Sequence, residues 1–145
     1  MRWRWIWLSG LLVVLLPYGA GAKAPGDFKL VYRSSAGHLA QATQERVEVL
    51  RGNVSVSGNV QDNRSYRIDE AQLEALYQIV LSSGFMTWKK APEVSHQSGV
   101  EEVFEVTANG STVSHGRWED GNQDAFREFF AKYNAWLNGI RTVRF

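Results

Sequence analysis

The chain has 145 residues, 16 Lys and Arg against 15 Asp and Glu, and no Cys. A net charge of +1 leaves no electrostatic footprint for nucleic acid or for an anionic membrane surface. Without Cys there is no disulfide framework, so a buried core must carry the fold, and a chain of this length can build one.

The N-terminus has the three parts of a secretory signal peptide. Arg2 and Arg4 come first, an uncharged apolar run over residues 5–16 follows, and Pro17 with Ala20, Gly21 and Ala22 supplies the break and the small residues of a cleavage site. Cleavage is expected after Ala22. The alternative is an uncleaved anchor, since residues 6–22 are uncharged and close to the lower limit of about 17 residues for a bilayer span. Arg2 and Arg4 are not adjacent, so there is no twin-arginine signal, and without Cys there is no lipoprotein site. Losing residues 1–22 removes both Arg and turns the net charge from +1 to −1. The expectation is a bacterial periplasmic or secreted protein. It has a lead-in at 23–26, one domain over 27–139 and a tail at 140–145.

Residues 27–33 alternate, with Phe28, Leu30 and Tyr32 on one side and Lys29, Val31 and Arg33 on the other, as in a half-buried strand. Ser34, Ser35, Ala36, Gly37 and His38 are small or polar and are expected to form a protruding loop. Residues 45–57 suggest a hairpin, with Gly52-Asn53 as its two-residue loop and Val47, Val49, Val54 and Val56 on one face. Residues 65–68 could add one short strand. Asp69 with Gln72 three positions on is a capping-box variant opening a helix over 70–83. Gly84 stands where a left-handed residue ends such a helix.

Residues 86–99 have no clear period and are expected to form a loop. The strongest local signal follows, Asn109-Gly110 between two β-rich runs. It pairs Ala108 with Ser111, Val106 with Val113, Phe104 with His115 and Glu102 with Arg117. A second helix is expected over 123–138, capped by Asn122 and ended by Gly139, with Phe126, Phe129, Phe130, Tyr133 and Leu137 as its apolar stripe. The pattern predicts an α+β fold: an antiparallel sheet of about five strands with both helices on one face.

Motifs for chemistry are sparse. His38, His96 and His115 lie far apart, with no metal-binding spacing. Ser34 and Ser35 near His38 lack the G-x-S-x-G context of a nucleophile. Glu101 and Glu102 are adjacent in a strand, so they point to opposite faces and cannot converge. Glu119 and Asp120 precede a helix start, where negative charge is favoured. Trp88 beside Lys89 and Lys90 is either an exposed interface anchor or a lid folded onto the core. No cofactor motif is present, so none is expected.

The order of elements resembles the emfourin-type metalloprotease inhibitors and related small exported domains. The resemblance rests on a first strand running into Arg33-Ser34-Ser35-Ala36-Gly37, a hairpin, a helix closing in Ser83-Gly84-Phe85, a Phe104-Glu105-Val106 strand and a last helix. It implies a cystatin-like fold and, less directly, protease inhibition. The expected function is a monomeric, non-enzymatic binding module with a protein partner, a protease or an envelope protein. Its contacts would come from Ser34, Ser35, Ala36, Gly37 and His38 and from the 86–99 loop with Trp88, Lys89 and Lys90. The alternatives are a small hydrolytic or metal-dependent enzyme using His38, His96 or His115, and a structural component of the envelope.

Overall fold

The hairpin at Asn109-Gly110 sets the register of one half of the sheet. In the computed structural model both residues take positive φ, 52° and 78°, as a tight two-residue loop requires. Asp27 adds a second tie: its carboxylate accepts from the Asn109 and Gly110 N–H groups at 2.9 and 2.7 Å. Those two bonds hold the Asp27 carboxyl below its ordinary pKa. The expected pairs form, Ala108 with Ser111, Val106 with Val113 and Phe104 with His115. The structure describes residues 23–37, 43–59 and 63–142. The expected signal peptide, His38 and the last three residues of the expected tail lie outside the described residues.

Six strands form one antiparallel sheet in the order β4-β3-β2-β1-β5-β6. They are β1 (Lys29–Ala36), β2 (Thr43–Leu50), β3 (Asn53–Gly58), β4 (Arg64–Arg67), β5 (Val100–Ala108) and β6 (Ser111–Gly116). The count of about five is corrected to six, because Arg64–Arg67 pairs with β3 as a full edge strand. Register aligns the apolar side chains in rows across the sheet. One row runs Tyr66, Val54, Val49, Leu30, Val106, Val113, and the next runs Val56, Val47, Tyr32, Phe104, His115.

The helices α1 (Glu70–Ser83) and α2 (Gln123–Thr142) join these rows in one core, through Leu76, Tyr77 and Val80 from α1 and Phe126, Phe129, Tyr133, Leu137 and Ile140 from α2. Phe104 is its centre, with ring centroids 4.8 Å from Phe129, 4.9 Å from Tyr133 and 5.4 Å from Phe126. Each such side chain taken fully out of water contributes about 1.5–3 kcal/mol.

The caps of α1 follow the sequence pattern. Asp69 accepts from Gln72 N at 2.7 Å while the Gln72 side chain accepts from Asp69 N at 2.9 Å, and Gly84 closes the helix at φ 71°. Three expectations are corrected. The β2–β3 loop is Arg51-Gly52 rather than Gly52-Asn53, since β4 draws Asn53 into the ladder opposite Arg67 and leaves Arg51 at φ 50°. The displacement moves each cross-strand pair by two positions, so the valines keep their face. Helix α2 passes Gly139 and runs to Thr142, because Ile140 is buried in the core and extends the stripe. Asn122 does not cap α2 with its side chain, which instead donates to Lys89 O and to Glu119 Oε2, both at 2.9 Å.

Candidate binding site

Two clusters of polar side chains stand out on this scaffold, one closed and one open. The closed one lies where β6 hands over to α2. Glu119 is fully buried, and its carboxylate accepts from four groups: Lys90 Nζ at 2.6 Å, His115 Nδ1 at 2.7 Å, Asn122 Nδ2 at 2.9 Å and Gly116 N at 3.2 Å. Burial pushes the Glu119 carboxyl up, but the donations from Lys90, His115, Asn122 and Gly116 outweigh it and bring its pKa down to about 2. Lys90 Nζ also donates to Ser114 O at 3.0 Å, on the outer edge of β6.

The ring of His115 is buried between aromatic neighbours, Phe85 at 5.0 Å and Trp88 at 5.3 Å. Nδ1 faces Glu119, and the other ring nitrogen, Nε2, is buried without a partner. A carboxylate–imidazole pair of this kind orients a general base in many enzymes, but a base must reach the proton that it abstracts. Here the free nitrogen is sealed, so the pair locks the 88–122 region instead.

Trp88 is part of the same closure. Its indole Nε1 donates to Ser83 O at 2.9 Å, and its ring packs on Phe85 at 5.0 Å and Phe129 at 6.0 Å. Of the two readings of Trp88, the packing is that of the lid. The segment after it is tied down as well, by Val94 N to Trp118 O at 2.7 Å and Asp120 N to Pro92 O at 2.9 Å. His96 stacks on Trp118 at 4.1 Å and lies 3.0 Å from Glu101. Lys89 is exposed.

The open cluster is on the other face of the sheet, which neither helix covers. Residues 34–36 are not a protruding loop: they are the end of β1, with Ser34 between Glu45 and Glu102, Ser35 between Gln44 and Glu101, and Ala36 between Thr43 and Val100. The two flanking strands extend far enough to hold them in the ladder. Gly37 follows at φ 103°, its N–H donating to Gly99 O at 3.2 Å. Ser34 and Ser35 line a groove of about 550 Å³ with Arg33, Arg46, Ser57 and Val103. Gly58 shapes its floor, since a Cβ there would collide with the Gln44 carbonyl. Asn59 fixes the rim by accepting from Gln44 N at 2.8 Å.

The groove is lined by two basic and two acidic side chains. Arg33 stands directly opposite Arg46 across β1 and β2, a like-charge pair. Arg46 leans away to Glu48 at 2.8 Å, which lowers the Glu48 pKa. Of the two acids in the lining, Glu45 lies 3.9 Å from Arg141 and Glu101 lies against His96. Arg33 makes no ion pair among the described residues.

The sequence-predicted site residues therefore separate. Ser34, Ser35 and Ala36 belong to the end of β1 beside the open groove, while Trp88 and Lys90 belong to the closed cluster on the helix side. His115 and His96 occupy different environments, and among the described residues no three His, Asp or Glu side chains are placed to hold a metal ion. Sequence reading missed two features. By its position Glu119 reads as a helix-start charge, and nothing local shows that Lys90 reaches it. The Arg33–Arg46 pair is invisible until the β1–β2 register is known, although both residues stand at polar-face positions. Compared with known proteins, the chain matches no family model and no curated sequence.

Proposed function

We propose that this chain is an exported, non-enzymatic binding module whose working surface is the groove at the open end of its sheet. The observation that carries the reading is the contrast in that groove: Arg33 and Arg46 face each other without a shared counter-charge, beside Ser35 and Ser57, on a rigid six-stranded floor. Preorganised polar groups on strands give a more exact binding surface than mobile loops do. Export rests on the basic, apolar and small-residue segments of the first 22 residues. The emfourin-like order of elements agrees with a binding role.

A photo-crosslinking residue introduced at Ser57 tests the site. In the native envelope extract it is expected to give a discrete adduct, which the same residue at Thr112 does not give and which Ser35→Trp abolishes. Equal labelling from both positions overturns the groove.

A second reading is protease inhibition through the 86–99 segment, favoured by its anchoring at Val94 and at the His96–Trp118 stack. A rigid loop is what a cleft-blocking inhibitor presents. Adding the protein to a secreted metalloprotease with a fluorogenic peptide substrate is the test, and an unchanged cleavage rate rejects this reading.

A further inference from the structure

We propose that the groove takes an extended acidic peptide segment, with a side-chain carboxylate held between Arg33 and Arg46. This rests on the binding-module reading above and adds the chemistry of the ligand. The lining draws on four neighbouring strands, with Ser57, Arg46, Arg33 and Val103 in one row across β3, β2, β1 and β5. At about 4.8 Å between strands, such a row is roughly 14 Å long. An extended chain advances about 3.4 Å per residue, so the row matches about four residues of peptide and exceeds the span of a single small anion.

The charges select the sign. Glu45 lies 3.9 Å from Arg141 and Glu101 lies 3.0 Å from His96, so each of the two lining acids has a neighbour of its own away from Arg33. Arg46 is shared with Glu48, and Arg33 has no ion-pair partner among the described residues. Arg33 and Arg46 are thus the two basic side chains of the lining, at facing register positions on neighbouring strands. A planar carboxylate accepts two parallel N–H bonds from a guanidinium, which an ammonium or a hydroxyl ligand cannot do. A carboxylate there also removes the repulsion between Arg33 and Arg46. Ser35 and Ser57 supply hydroxyls and Val103 an apolar contact for the neighbouring residues of the segment.

Two fluorescein-labelled hexapeptides test the ligand class by anisotropy with the full chain, one alternating Glu and Thr and one alternating Gln and Thr. The Glu peptide is expected to bind about tenfold or more tightly than its Gln counterpart, and more weakly as salt is raised. Arg33→Gln and Arg46→Gln are each expected to weaken the Glu peptide by about tenfold, leaving the Gln peptide unaffected. Arg51→Gln, at the far end of β2, is expected to change nothing. Equal affinity for the two peptides, or an unchanged Glu-peptide affinity in Arg33→Gln, overturns carboxylate recognition. If the Ser57 crosslink persists in that case, the groove stands and only its ligand class falls. If the crosslink is absent too, both readings fall.

Discussion

The cluster around Glu119 and the groove between Arg33 and Arg46 are built from the same kinds of side chain on the same sheet, yet they end in opposite states. Glu119 is buried with four donors on its two oxygens. Arg33 is exposed, faces another arginine and is left without an ion pair among the described residues. A buried charge is tolerated only when its partners are in place, whereas a surface charge can wait for one in water. The difference separates a polar group whose partners are all internal from one that is exposed and has no ion-pair partner among the described residues. The Glu119–His115 pair falls on the buried side of that division.

The largest effect is expected at the closed cluster. Glu119→Gln removes the buried negative charge and leaves Lys90 and His115 without it, so unfolding by denaturant is expected to show a loss of about 2–4 kcal/mol. Acid gives the same group a second test. Its folded pKa of about 2 lies below the ordinary value of 4.5, so its contribution is complete above pH 4.5 and is lost as pH falls through that value toward 2. The difference amounts to about 3 kcal/mol, and the Glu119→Gln variant is expected to lose this part of the acid slope in a pH series of melts. Next comes Trp88→Phe, which keeps the ring contacts with Phe85 and Phe129 but removes the bond to Ser83 O. Calorimetry is expected to show a loss of about 0.5–1.5 kcal/mol.

Much of the scaffold can be read from local signals. Asn109-Gly110 fixes its register through φ requirements that two residues alone satisfy, and Asp69 with Gln72 fixes a helix start through two reciprocal bonds. The parts that sequence reading misplaces are decided by distant chain. Arg51-Gly52 replaces Gly52-Asn53 because β4 pairs with Asn53, and α2 passes Gly139 because the core has room for Ile140. The candidate site belongs to this second kind. Ser34 and Ser35 are legible as polar residues at the end of a strand, but Arg46 becomes the neighbour of Arg33 only through the β1–β2 pairing. Lys90 and Glu119 meet across 29 positions for the same reason.

The division between a closed structural cluster and the proposed recognition groove is tested most directly by denaturant unfolding of the unaltered protein beside Glu119→Gln and Arg33→Gln under one set of conditions. Glu119→Gln is expected to unfold several kcal/mol earlier. Arg33→Gln is expected to match the unaltered protein or exceed it by a few tenths of a kcal/mol, because a like-charge cross-strand pair has been relieved. An Arg33→Gln protein destabilised as much as Glu119→Gln contradicts the account, since Arg33 then belongs to the internal network and is not free for a partner.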